Sequence, residues 1–241
     1  LEEDDVHVWR AYLDPSLPYL RHLKRVLSPD EVRRAERFRF EKDRQGFVIA
    51  HGVLRKILSL YVRIAPSELV FRYNVQGKPA LDRQSNGDDL RFNLSHSDGM
   101  ALYAITRGRE IGIDVEQMRT DFKGDAIAAR FFSPQEVAML RALPRDAHIQ
   151  GFFACWTRKE AYVKARGDGL SFPLDQCGVS VAPEGPAALL HTQGDRSETW
   201  RWSLKDLTPG PGYAAALAVE GGGWLLKCWQ WPESWNMEPT T

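Results

Sequence analysis

The chain has 241 residues, 43% of them hydrophobic, and its 32 basic side chains balance 32 acidic ones. That length can bury one sizeable core or two small ones, and zero net charge argues against a generic nucleic-acid binder. No apolar run reaches membrane-spanning length. Three cysteines, Cys155, Cys177 and Cys228, lack metal-ligand spacing, and the start Leu1-Glu2-Glu3-Asp4-Asp5 is the reverse of a signal peptide. The expected setting is therefore cytoplasmic, with reduced thiols.

In chain order, apolar alternation predicts a strand over 6–12, and the Ser28-Pro29-Asp30-Glu31 start predicts a capped helix. A longer helix follows over about 43–62, then strands near 69–73, 90–94 and 100–106. From Arg21 to Arg63 twelve Lys/Arg face five Asp/Glu, a local excess suited to an acidic partner or to phosphates. A strand is expected over 111–116, helices from about Asp121 and from Ser133, and a long helix over about 149–165. Strands around 178–182, 200–204 and 213–219 complete the pattern. Segments 82–89 and 183–197, rich in Gly, Asp, Ser and Pro, predict loops. Six of the eight tryptophans follow Thr199, which suggests a last strand and a tail.

A weak internal repeat organises these elements. Ser28-Pro29-Asp30-Glu31-Val32 and Ser133-Pro134-Gln135-Glu136-Val137 lie 105 residues apart, and Gln45-Gly46-Phe47 matches Gln150-Gly151-Phe152 at the same offset. The expected fold is α+β, with two similar halves over 1–108 and 109–241 forming an intramolecular pseudo-dimer.

The segment Arg109-Glu110-Ile111-Gly112-Ile113-Asp114-Val115-Glu116 carries the chemistry. On a strand, Asp114 and Glu116 share one face and Ile111, Ile113 and Val115 the other. About forty residues later, Trp156, Glu160 and Lys164 recur every fourth residue along one helical stripe. Taken singly, Asp-x-Glu is often a solvated edge, and Glu160 with Lys164 an ordinary helix pair worth about 0.2–0.5 kcal/mol. Taken together, three carboxylates beside two lysines suit Mg²⁺ holding a phosphorylated ligand. A metal-dependent nuclease also gathers Asp, Glu and Lys, but its usual Glu-x-Lys pair lies on a strand, whereas Glu160 and Lys164 are four apart on a helix. A coenzyme A or nucleotide module without chemistry is the non-enzymatic alternative; all three carboxylates being present speaks against it.

The order Gly77-Lys78-Pro79, Phe92-Asn93-Leu94-Ser95-His96-Ser97, Gly112-Ile113-Asp114-Val115-Glu116 and Trp156-Thr157-Arg158-Lys159-Glu160-Ala161-Tyr162-Val163-Lys164 resembles the 4'-phosphopantetheinyl transferases of the Sfp-type, pseudo-dimeric class. The resemblance implies transfer of the phosphopantetheine of coenzyme A, its co-substrate, to a serine of an apo acyl or peptidyl carrier protein; the repeat implies a monomer, and charge and hydropathy imply no nucleic acid and no membrane. The resemblance also implies Mg²⁺ on Asp114, Glu116 and Glu160, with Glu160 also a candidate proton acceptor and Lys164 on a phosphate of the diphosphate. It further implies Lys159 orienting the site, Ser95 and His96 donating to phosphates, Gly77, Lys78 and Pro79 near the nucleotide, and Arg34 near the 3'-phosphate with help from Arg39 or Lys42. Phe47 and Val48 stand where some relatives carry polar or basic nucleotide contacts. The carrier is expected on apolar surface between Asp121 and Phe132.

Overall fold

Both Ser-Pro starts behave as their residues dictate. Ser28 and Ser133 each accept from the amide of the glutamate three residues on, and that glutamate accepts from the serine's own amide. A computed structural model describes residues 1–14, 16–82, 89–119, 122, 124–193 and 197–232. The first half comprises β1 (Asp5–Tyr12), α1 (Leu17–Val26), α2 (Pro29–Glu36), α3 (Glu41–Val62), β2 (Phe71–Tyr73), β3 (Pro79–Leu81), β4 (Leu90–Ser97) and β5 (Met100–Arg107). There follow β6 (Ile111–Gln117), α4 (Asp125–Phe131), α5 (Pro134–Ala142), α6 (His148–Arg166), β7 (Cys177–Val179), β8 (Leu189–Thr192), α7 (Glu198–Arg201), β9 (Trp202–Leu207), β10 (Tyr213–Glu220) and β11 (Leu225–Gln230).

The repeat reappears in the sheets. One has the order β11-β1-β5-β4 and the other β6-β10-β9. The first strand of one half, β1, lies beside β5 and that beside β4, just as β6 lies beside β10 and that beside β9, all antiparallel. Only β11 breaks the symmetry, returning to pair in parallel with β1. Strand alternation then sorts the core into layers. Val6, Val8, Met100 and Leu102 of the first sheet face Ile111, Ile113, Val115 and Leu217 of the second. The outer faces take the helices, α3 on the first sheet and α6 on the second. β5 lies between two layers and is buried along nearly its whole length.

The capping glutamates have a second task that local sequence does not show. Glu31 and Glu136 are each 1% exposed, and each meets a cation from the long helix that follows: Arg55 Nε at 2.7 Å and Lys159 Nζ at 2.7 Å. Burial alone would push the Glu31 carboxyl up, but His51, the Ser28 amide and Arg55 more than offset it and bring the pKa to about 2.

Several expectations need correction. α1 was not expected: Ser16 makes no side-chain cap to announce it, and Pro18 in its first turn reads as a turn residue, yet Tyr19 and Leu23 are buried. β8 falls inside the predicted 183–197 loop, because it is held by pairing with β7 rather than by its own pattern. The predicted strand over 200–204 begins at Trp202, since 198–201 form the single turn α7, where Glu198 accepts from the Trp202 indole at 3.0 Å. α4 starts at Asp125; Asp121 lies outside the described residues. The tryptophan-rich end is packed as far as described: Trp229 stacks on Trp9 at 5.2 Å, and buried Trp231 donates to the Tyr19 hydroxyl at 2.9 Å.

Candidate active site

β6 is the platform. Its isoleucines and Val115 are taken up by the core between the sheets, so Gly112, Asp114 and Glu116 face α6. A Cβ on Gly112 would lie 2.1 Å from the carbonyl oxygen of Ala161 and 2.3 Å from the amide nitrogen of Ala165. The missing side chain therefore lets α6 lie directly on β6, with Glu160 and Lys164 over the carboxylates. Gly112→Ala is expected to cost about 1–3 kcal/mol or more, as overpacking does, because backbone rather than a flexible side chain must yield. Urea denaturation measures it; an unchanged midpoint would show that α6 is not seated this closely.

Asp114 is 2% exposed. Its Oδ1 accepts from Lys164 Nζ at 2.5 Å and from Ser95 Oγ at 2.9 Å, while Oδ2 is buried without a partner. Half-buried Glu116 accepts from Ser97 Oγ at 2.9 Å and from the Trp156 indole. Burial raises the pKa of Asp114 against the opposing pull of Lys164 and Ser95. Burial and then the Asp114 charge raise Glu116, and the same two causes, in the same order, raise half-buried Glu160, with Lys164 opposing. Three carboxylates thus disfavour one another in a poorly solvated corner, the electrostatic situation that a cation relieves.

Among the described residues, no three His, Cys, Asp or Glu side chains form a ready-made chelate. The three carboxylates expected to hold Mg²⁺ are therefore close but not gathered as one chelate; Mg²⁺ needs only one or two protein carboxylates and completes its shell with water and substrate phosphates. The orphaned Oδ2 of Asp114 is the atom best placed to be such a ligand.

The other predicted residues divide. His96 lies on the α3 side of β4, in the wall of a cleft of about 560 Å³ whose lining includes Phe38, Lys42, Glu116, Phe122 and Trp156. It is open to that cleft yet surrounded by protein. This enclosure, then His51 and Lys164, lowers its pKa, which favours the neutral imidazole. Arg34 stacks on Phe47 and Tyr73 with its guanidinium 5.4 and 5.6 Å from the ring centres. Phe47 in turn stacks on His51 at 3.9 Å. Arg34 therefore stands on the α3 face of the first half, beside Phe47 and Tyr73.

Ser95, Lys78 and Lys159 are placed differently from what the resemblance implies. Ser95 is buried, and its hydroxyl serves Asp114 rather than the cleft. Lys78 Nζ donates to Glu110 at 3.0 Å and to the carbonyls of Ile111 and Ala165 at 3.2 and 2.7 Å, tying the end of α6 to the start of β6. Gly77 (φ 87°) and Pro79 shape the turn that presents it, with Asn74 accepting from the amides of Gln76 and Lys78. Lys159 is fully buried, donates to Glu136 and to the carbonyls of Leu174 and Cys177, and points away from the site. On a helix, neighbours differ by about 100° in direction, so Lys159 and Glu160 cannot face the same way.

Asn93 and Ser97 were given no role in the site, and Trp156 only a place on the helical stripe. Asn93 Oδ1, Ser95 Oγ and Ser97 Oγ accept from the amides of Ile113, Val115 and Gln117 at 2.9, 3.3 and 3.1 Å. For Asn93 and Ser97 the signal was available: Asn-x-Ser-x-Ser is a period-2 polar face of β4 opposite Phe92 and Leu94.

Comparison with known proteins agrees along nearly the whole chain. Residues 110–218 match the model of the 4'-phosphopantetheinyl transferase superfamily, and residues 11–107 match the model of the 4'-phosphopantetheinyl transferase N-terminal region. The 4'-phosphopantetheinyl transferase HetI of Nostoc sp. is 40% identical over 231 residues, 96% of this chain and 94% of that one. The chain belongs to the 4'-phosphopantetheinyl transferase superfamily. A putative 4'-phosphopantetheinyl transferase of Synechocystis sp. is 34% identical over 88% of this chain and 82% of its own. The 4'-phosphopantetheinyl transferase Sfp of Bacillus subtilis is 30% identical over 68% and 70%. The protein is thus a phosphopantetheinyl transferase built as two related α+β halves. None of its described helices is long and apolar enough to cross a membrane.

Proposed function

We propose that this transferase takes its group from coenzyme A and passes it, with Mg²⁺, to a serine of an apo acyl or peptidyl carrier protein. The products are the holo carrier and adenosine 3',5'-bisphosphate. The observation that carries this reading is Asp114, a buried carboxylate with one oxygen held by Lys164 and Ser95 and the other without a partner, facing two further carboxylates of raised pKa. Asp114, Glu116 and Glu160 would hold Mg²⁺, which supplies charge neutralisation at the diphosphate when bound. The serine hydroxyl attacks the β-phosphorus, the P–O bond to the adenosine bisphosphate breaks, and the serine proton passes to a base. Glu160 suits that role, since its raised pKa brings it nearer the working range of a general base. Lys164, 29% exposed at its side chain, can turn from Asp114 to a phosphate oxygen. His96 offers its N–H from the cleft wall. The carrier is assigned to the other wall, where Phe122 and Ile127 line the cleft. The test is mass spectrometry of an apo carrier after incubation with coenzyme A and Mg²⁺. Addition of the phosphopantetheine arm, abolished by EDTA, is expected; its absence across fatty-acid, polyketide and peptide carriers would sink the reading.

We also assign the halves to 1–108 and 109–241, with β11 reaching back to the first sheet, and the working state to a monomer, since one chain supplies both walls of the cleft. Sedimentation under assay conditions is expected to show activity at monomer mass, and activity confined to a dimer would overturn this. A cytoplasmic setting agrees with three free cysteines; cell fractionation tests it.

Arg34→Ala is expected mainly to raise KM for coenzyme A, because a contact to the remote 3'-phosphate forms alike in ground and transition states. With dephospho-coenzyme A, variant and wild type should behave alike. An equal penalty with that analogue would place Arg34 on something else.

A further inference from the structure

β6 is an edge strand: β10 pairs with one side of it, and the amides of Ile113, Val115 and Gln117 point out of the other. Outward amides in the middle of a molecule must find acceptors. At the corresponding place in the first half, β11 supplies backbone pairing along β1. Along β6 the acceptors are instead the side chains of Asn93, Ser95 and Ser97 on β4. The first rung, Asn93, serves an amide alone. The other two also touch a carboxylate: Ser95 Oγ lies 2.9 Å from Asp114 Oδ1, and Ser97 Oγ 2.9 Å from Glu116 Oε2.

A serine hydroxyl has one hydrogen and two lone pairs. At Ser97 the Gln117 amide takes a lone pair at 3.1 Å, so the hydroxyl hydrogen is left to point at Glu116. The backbone of β6 thereby orients a hydroxyl that in turn orients a carboxylate of the same strand one residue back. Ser95 repeats this at Asp114, but there Lys164 also holds the carboxylate. The Lys164 charge also acts on Glu116, but among the described residues no ammonium pairs with it directly, which leaves Ser97 and the Trp156 indole to fix it.

We infer that Ser97 is a positioning residue for the reaction: its hydroxyl, aimed by the Gln117 amide, sets Glu116 in place to bind a divalent cation. The inference rests on the Mg²⁺ reading proposed above. Partners of this kind commonly contribute tenfold to a hundredfold in metal affinity.

The test is titration of the full-length protein with Mn²⁺, following free Mn²⁺ by electron paramagnetic resonance, alongside thermal unfolding. Ser97→Ala is expected to weaken Mn²⁺ binding by about tenfold or more, and Ser97→Thr, which keeps the hydroxyl, to restore it. Asn93→Ala removes a rung of the same ladder that touches no carboxylate, so it should lower the melting temperature as Ser97→Ala does yet keep wild-type Mn²⁺ affinity. Unchanged affinity in Ser97→Ala, or an equal loss in Asn93→Ala, would overturn the positioning role while leaving the metal reading intact. If Ser97→Ala does not fold, failure of the Thr variant to bind like wild type overturns it. A wild-type protein that binds no Mn²⁺, either alone or with coenzyme A present, brings down both.

Discussion

Asp114→Ala is expected to lower turnover by about a hundredfold or more, the scale on which loss of one preorganised electrostatic element is felt, without unfolding the protein. Burial raises the pKa of Asp114, so its ionised form is less at home in the folded state than in the unfolded one. For an acid shifted upward the sign is unfavourable: above its folded pKa the charged carboxylate subtracts from stability, and the penalty vanishes as pH falls below its unfolded pKa. Removing the side chain therefore relieves the fold while disabling the site, a stability cost that function commonly maintains. Lys164 is not stranded by the change, since it is partly exposed. Glu160→Ala should behave likewise, because its pKa is raised first by burial and next by Asp114. Steady-state rates with an apo carrier at saturating Mg²⁺, paired with thermal unfolding, make the check. A folded Asp114→Ala protein with near wild-type turnover would remove Asp114 from the chemistry.

The second large effect falls on stability. Lys159→Ala leaves Glu136 charged, 1% exposed and without its ammonium, and breaking a buried pair from one side costs about 3–5 kcal/mol. The amides of Ser133 and Val179 still donate to Glu136, at 2.8 Å each, but neither brings the positive charge that Lys159 does. Replacing both members together, Lys159→Met with Glu136→Leu, should recover much of the loss in the pair itself, although the Ser133 cap is then forfeited. Urea denaturation measures the stability, and rates measured on the fraction that stays folded separate the two possible roles. Wild-type stability with a collapsed rate would return Lys159 to the active site, where the resemblance implies it.

Lys159 and Lys164 show where sequence reading reaches its limit. Both are basic, both lie on α6, and both flank Glu160. The spacing of four between Glu160 and Lys164 was legible, and the helix delivers it. That Lys159 belongs to Glu136 depends on the seating of α5 and of the loop before β7, which no local pattern encodes. Lys78 is a parallel case: Gly-Lys-Pro announces a turn, while the partners of its ammonium, Glu110 and the Ala165 carbonyl, come from segments about 30 and 90 residues away. Ser95 was legible as a polar residue in an apolar strand, but its assignment to Asp114 rather than to the cleft follows from β4 lying along the free edge of β6.

By itself the amino-acid sequence determined whatever is settled within a few residues of chain. The two capping boxes, the alternation that sets Asp114 and Glu116 opposite three apolar neighbours, and the helical stripe of Trp156, Glu160 and Lys164 follow from backbone geometry of period 2 or 3.6. The repeated order of these signals already implied two similar halves. Only the tertiary structure decided which charges meet. It set Gly112 beneath α6, left Asp114 Oδ2 without a partner, buried Lys159 and Glu136 together, and carried β11 back across the molecule to β1. The physical reason is that a charge buried far along the chain from its partner is paired by packing of whole elements, and local periodicity records which face a residue occupies without recording what that face is pressed against.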